Sequence, residues 1–238
     1  MSVTEAPAGS ATDTHGWPGE LDPDKNFIVS AFGRKGSGKT VFNRELYRQY
    51  PHDKLCIDVN GEADPGTDAT PISAPLPPRM PSRGEDKKPV NLHYVCDPGS
   101  DTYRDDLDRA VGMAMFPSDQ HTLVWGGEVG ELTTGGKTGP HLRRLLMQSR
   151  HYRTSALFDG PRPVDIDKLV IAQSDMVAVF DLPDPDDRDR VAKVIGYPPQ
   201  LFRTECNETF RRGPFWHLLW VSSAKQLYRC PPLPVAKA

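Results

Sequence analysis

The stretch Gly33-Arg34-Lys35-Gly36-Ser37-Gly38-Lys39-Thr40 constrains this chain more than any other part of its sequence. Its spacing is Gly-x-x-x-x-Gly-Lys-Ser/Thr, in which glycines let backbone N–H groups turn inward around an anion. Such a loop needs a strand before it and a helix after it, whose N-terminus adds partial positive charge. Both are legible. Asn26 to Phe32 (NFIVSAF) is an apolar, β-branched run ending at glycine and reads as a buried strand. Thr40 to Tyr50 reads as a helix stopped by Pro51. The pattern predicts a nucleoside triphosphate site, with ATP as the expected nucleotide, on Gly33, Arg34, Lys35, Gly36, Ser37, Gly38, Lys39, Thr40 and the adjoining Val41. Lys39 supplies a point charge for the β- and γ-phosphates, and the Thr40 hydroxyl is the expected ligand to Mg²⁺.

The rest of the chain alternates in the way such a loop requires. Strands are expected at Leu55–Val59, Val90–Cys96, His121–Trp125, Thr154–Phe158 and Met176–Phe180. Helices are expected at Thr102–Phe116, Gly139–Tyr152, Asp165–Gln173 and Asp184–Ile195, the last closed by Gly196. Phe215–Val221 and Gln226–Cys230 read as a terminal hairpin. The fold class is therefore α/β: a mostly parallel central sheet, covered by helices on both faces, plus a C-terminal hairpin.

Proline marks the irregular parts. Residues 1–24 are small, polar and aperiodic and read as a disordered arm. Within the domain spanning 25–230, residues 61–89 carry seven prolines and read as an insertion that is neither helix nor central strand. Residues 231–238 read as a flexible tail.

Composition narrows the partners. The net charge of −3 gives no global basic field, so any nucleic-acid contact must come from local loops or an oligomeric surface. Cys56, Cys96, Cys206 and Cys230 are far apart and form no Cys-x-x-Cys pair, which argues against zinc and against a disulfide framework. No run approaches the ~20 apolar residues that span a bilayer. The N-terminus lacks the blocks of a signal peptide, so a soluble cytoplasmic protein without membrane insertion is expected.

A P-loop hydrolase also needs an acidic pair at the end of another core strand, one carboxylate for Mg²⁺ and one for the attacking water. His121-Thr-Leu-Val-Trp-Gly-Gly-Glu128 puts Glu128 in the water-activating position, but Gly127 stands where the metal-supporting aspartate belongs. Asp58 and Asp159 are the candidate substitutes. Trp125, Trp216 and Trp220 lie in expected strands and read as core.

These segments, in this order, resemble the FtsK–HerA superfamily of DNA-translocating ATPases, and within it the small viral genome-packaging ATPases. The resemblance runs from about residue 26 to 230. It rests on the P-loop, on Ile57-Asp58-Val59-Asn60-Gly61-Glu62, on Leu123 to Leu132 and on Leu145 to Asp167, where Arg162-Pro163 is kept but Pro161 replaces a glutamine. The acidic helix from Asp184 and the final hairpin complete it. The resemblance implies a homo-oligomeric ring, usually a hexamer, that moves double-stranded DNA by hydrolysing ATP. For a viral member it also implies a portal or other assembly protein as partner. An arginine from one subunit then completes its neighbour's site; Arg150 matches best, with Arg143, Arg144 and Arg153 as rivals. Asp159 is the expected polar sensor. Two loops could meet DNA: the Pro-rich insertion with Arg79, Arg83, Lys87 and Lys88, and Thr133 to Thr138 with Lys137. A P-loop small-molecule kinase and a nucleotide-binding assembly protein with little or no turnover are the alternative readings.

Overall fold

The computed structural model describes residues 11–14, 21–83, 88–115, 120–134 and 136–233. In chain order the elements are β1 (Thr12–Asp13), β2 (Ile28–Phe32), α1 (Lys39–Gln49), β3 (Asp53–Asp58), β4 (Thr70–Ile72), β5 (Asn91–Val95), α2 (Tyr103–Ala114), β6 (Thr122–Gly126), β7 (Thr133–Thr134), β8 (Lys137–Thr138) and α3 (Pro140–Tyr152). They continue with β9 (Thr154–Gly160), a 3₁₀ turn (Pro163–Asp165), α4 (Lys168–Ala172), β10 (Met176–Val179), α5 (Pro185–Ile195), α6 (Pro199–Phe210), β11 (His217–Val221) and β12 (Gln226–Cys230).

One ten-stranded sheet runs in the order β1-β12-β11-β10-β2-β9-β6-β3-β5-β4. Every pair from β10 to β4 is parallel, whereas β11 pairs antiparallel with both β10 and β12. The central strands are buried along their whole length, as a sheet covered on both faces demands. Alternate residues of β2 serve opposite sides. Ile28 and Phe32 pack with α2, α3, α4, α5 and α6, while Val29 and Ala31 pack with Phe42 and Tyr47 of α1. The expected α/β architecture is the observed one.

Three regions differ from the sequence reading. First, part of the proposed disordered arm is a strand. β1 pairs parallel with β12 at the sheet edge, and Ala11 N–H donates to the buried Glu205 at 3.1 Å. Arg229 binds Glu205 and also donates to the Ala11 carbonyl at 2.8 Å, so a buried ion pair anchors this segment. Residues 1–10 and 15–20 lie outside the described residues.

Second, the Pro-rich insertion is mostly exposed among its described residues and holds no helix or central strand, as expected, but it adds an edge strand and a few core contacts that the sequence did not suggest. It carries the edge strand β4, Leu76 and Met80 pack against the core, and Met80 N–H donates to the Met113 carbonyl at 3.2 Å. Third, α6 has no counterpart in the sequence reading. Pro198-Pro199 follows the glycine that ends α5 and resembles a stop signal, yet Pro199 sits at the first helical position, where its missing N–H costs nothing. Phe202 and Cys206 then bury one face. At the other end, Pro231 to Leu233 of the tail are described and Leu233 packs against the core; residues 234–238 lie outside the described residues. All four cysteines are buried and free. No helix among the described residues is long and apolar enough to cross a membrane.

Candidate nucleotide-binding site

Parallel strands put their C-terminal ends along one edge of the sheet, and the loops there converge. β2 ends at Phe32 and the chain turns through Gly33 into α1. Gly33 (φ 154°), Gly36 (φ 77°) and Gly38 (φ 109°) hold backbone conformations that L side chains rarely adopt. At Gly33 a Cβ would also meet Phe180 Cβ and Ser37 Oγ at 2.8 Å. The loop is tied down at its start: Gly33 N–H donates to the Gly160 carbonyl at 3.3 Å, and Arg34 N–H to the Asp181 carbonyl at 2.9 Å. α1 then begins with no side-chain cap, which leaves its first-turn amides for an anion.

The charged groups fit phosphate. Lys39 is buried, and its ammonium donates to the Arg34 carbonyl within the loop at 3.1 Å. Burial holds its pKa below the ordinary lysine value, while the charges of Asp159 and then Glu128 pull it back up. The buried Ser37 hydroxyl has no partner. A triphosphate laid on the loop would meet both, and Thr40 is exposed on the first turn of α1.

Asp159 is the hub of the site. It sits near the end of β9, between β2 and β6, and is only 4% exposed. Its Oδ2 accepts from Asn43 Nδ2 on α1 at 3.1 Å and from Trp125 Nε1 on β6 at 3.2 Å. Its Oδ1 accepts from Glu128 N–H at 3.1 Å, and its carbonyl accepts from Val129 N–H at 2.7 Å. Glu128 itself has φ 54°, a left-handed conformation costly for a residue with a Cβ. Burial raises the Glu128 pKa, and the Asp159 charge raises it further, against Lys39. A glutamate tuned upward and held half-buried beside a phosphate loop has the properties of a general base for water.

The two substitutes considered for the absent metal aspartate differ in position. Asp58 is taken up locally: it accepts from Glu62 N–H at 3.1 Å and Ala63 N–H at 3.0 Å, and faces His93 Nε2 at 3.1 Å. That holds the turn presenting Glu62 to Lys35 at 3.3 Å. Asp159 is central but already accepts three N–H groups. At Gly127 an added Cβ would meet nothing closer than the Ile57 carbonyl at 3.8 Å, so a Cβ fits there. Among the described residues no cluster of three His, Cys, Asp or Glu could hold a metal.

The arginines separate by sheet edge. β9 runs parallel to β2, from Thr154 to Gly160 beside Gly33. α3 runs back against it, so Arg150 lies on the edge opposite the P-loop, roughly 20 Å away at strand rise. It is exposed and makes no ion pair among the described residues, and it does not reach its own site. Arg143 and Arg144 are exposed on the first turns of α3, nearer the P-loop edge; Arg153 caps α3 with φ 50°. Arg162 follows β9 and is held by Asp184 at 2.8 Å and Asp187 at 3.3 Å.

Of the expected DNA-contacting residues, Arg83 is engaged by Asp53 at 2.8 Å, Arg79 is exposed, Lys88 is an exposed residue with a partner, and Lys87 lies outside the described residues. Lys137 is exposed on the β7–β8 hairpin, which leaves the same edge as Glu128. Trp125 and Trp220 are core, whereas Trp216 is half-buried under Arg212 at 5.0 Å. Asn43 and the second role of Trp125 were not read from the sequence, because nothing in it brings α1 or β6 to Asp159.

Fold and loop together define a P-loop NTPase architecture. Comparison with solved structures agrees. The genome packaging NTPase B204 from Sulfolobus turreted icosahedral virus 2, solved with sulfate, superposes with a TM-score of 0.66 at 15% identity, covering 91% of this chain and 100% of that one. The same protein with ATP-gammaS gives a TM-score of 0.65 at 15% identity, with 90% and 100% coverage. VirB4 of Thermoanaerobacter pseudethanolicus gives 0.64 at 11% identity, with 96% and 97% coverage. At these identities the likeness is one of fold, and it matches the resemblance read from the sequence. No protein-family model and no curated protein matches the sequence.

Proposed function

We propose that this chain is an ATP-hydrolysing DNA translocase of the genome-packaging type, working as a homo-oligomeric ring. The observation that carries the reading is the Lys39–Asp159–Glu128 constellation at the mouth of the P-loop, in a fold shared with a packaging NTPase. Lys39 leaves the Arg34 carbonyl for the phosphates, and the α1 amides hold the remaining oxygens. Glu128 orients the attacking water and accepts its proton. Asp159 fixes the Glu128 backbone. Mg²⁺ on the triphosphate would neutralise charge on the transferred group, with Thr40 as its protein ligand. Arg150 acts in trans, since it is too far from its own loop, and the exposed Lys137 hairpin is the favoured DNA contact.

Mixing two inactive variants tests the ring. Lys39→Ala and Arg150→Ala subunits, each silent alone, should recover part of the hydrolysis when mixed, because some interfaces pair an intact P-loop with an intact arginine. Absence of recovery, with both variants still assembling, would remove Arg150 and leave the other α3 arginines to be tried. Gly127 favours one second reading, a nucleotide-binding assembly protein. Tight ATP binding without turnover would select it.

A further inference from the structure

Beside the P-loop opens a cavity of ≈ 150 Å³, lined by Gly38, Val41, Phe180, Phe215, His217 and Leu233 among others. Pockets for whole small ligands run to about 300–1,000 Å³. This one holds a ring system, not a nucleotide. It shares Gly38 and Val41 with the phosphate loop, so a nucleotide seated by its phosphates on residues 33–40 has its base within reach of the opening.

The walls are almost all carbon. The Phe215 ring lies against the loop, with Cδ1 3.0 Å from where a Cβ on Gly38 would stand. It is 50% exposed, an unusual state for so large an apolar side chain. Its backbone is left-handed, with φ 65°, and so is held by its surroundings. His217 is one holder: its Nδ1 lies 3.3 Å from the Phe215 carbonyl, its ring stacks on Phe180 at 4.6 Å, and it is 1% exposed. Burial lowers its pKa to about 4, so the ring is neutral at physiological pH. A carbonyl only accepts, so Nδ1 carries the hydrogen and Nε2 is bare. Nε2 is enclosed and has no partner, so it presents nothing to the cavity.

Resting on the reading of residues 33–40 as a nucleotide site, we propose that this cavity receives the base and reads it only through its π face, with Phe215 as the stacking platform, so that ATP and GTP are comparable substrates. Sites built to hydrogen-bond a substrate group reject analogues lacking it by about 10⁴–10⁵-fold, whereas apolar pockets separate isosteres only weakly. Stacking on an aromatic ring is tolerant of sequence because every base has a π face. Pyrimidines bind less well, because one ring covers less of the wall.

Calorimetric binding of ATPγS and GTPγS to the wild-type chain, Phe215→Ala, Phe215→Trp and Lys39→Ala tests this. The two nucleotides should bind the wild type within about 10-fold of each other. Phe215→Ala should weaken both by the same factor, roughly 5- to 150-fold, and Phe215→Trp should restore both. A preference for ATPγS above about 100-fold would show that Nε2 or a backbone group reads the adenine edge, and would overturn the proposal. So would unchanged binding in a folded Phe215→Ala. If neither nucleotide binds the wild type, the nucleotide-site reading itself fails, a result distinct from loss of GTPγS alone.

Discussion

The backbone N–H of Glu128 donates to Asp159 Oδ1 at 3.1 Å, and this bond ties the turn after β6 to the strand beside the P-loop. Asp159 also holds Asn43 of α1 and Trp125 of β6. Three elements of the site therefore meet on one buried carboxylate. Asp159→Ala leaves two buried donors and a strained Glu128 without their acceptor. It should lose about 1–3 kcal/mol of stability per unsatisfied group and nearly all turnover. Chemical denaturation beside phosphate release measures both; wild-type turnover in the variant would contradict the role.

Glu128 is the proposed general base. Its pKa is raised, first by burial and then by Asp159. Below that pKa the carboxyl is protonated and cannot accept from water, so kcat falls as the medium is acidified. The acidic limb should lie above the ordinary glutamate value of about 4.3. Asp159→Asn removes one of the raising charges, so any residual activity should show that limb at lower pH. A limb unmoved in Asp159→Asn, or full activity in Glu128→Gln, would assign the base elsewhere.

Position 127 tests the metal. An added Cβ there meets nothing closer than the Ile57 carbonyl at 3.8 Å, so Gly127→Asp should fold. If it supplies the carboxylate that Gly127 lacks, half-maximal turnover should need several-fold less Mg²⁺. An unchanged Mg²⁺ dependence would mean that the chain works with Thr40 and phosphate oxygens alone.

The N-terminal segment should contribute to stability. Glu205 is 2% exposed and Arg229 11%, and together they bind Ala11. Arg229→Ala leaves a buried carboxylate unpaired, with an expected cost of about 3–5 kcal/mol in urea unfolding. Deleting residues 1–14 should cost less, because the ion pair remains. Equal losses in the two proteins would make the segment, not the ion pair, the source.

Much of this was legible in the chain and some was not, for physical reasons. The P-loop, its strand and its helix could be read because glycine conformational needs, apolar runs and a stopping proline are local signals. Glu128 was legible as a residue after a core strand. Its partner Asp159 was only one of two candidates, because which strand lies between β2 and β6 is a property of sheet order, not of local sequence. The Phe215 cavity depends on the same order: β10 sits beside β2, which brings Phe180 against Gly38 from far along the chain. α6 was hidden because proline ends helices as readily as it begins them. β1 was hidden because two residues of strand carry no periodicity; what holds them is an ion pair contributed by α6 and β12.

If the P-loop powers movement along DNA, as proposed, its hydrolysis must respond to DNA. Phosphate release from ATP by the purified chain, with and without duplex DNA, beside Lys39→Ala, tests it most directly. The account predicts turnover that duplex DNA stimulates and that Lys39→Ala abolishes. ATP binding without turnover under either condition, or turnover indifferent to DNA, would contradict it.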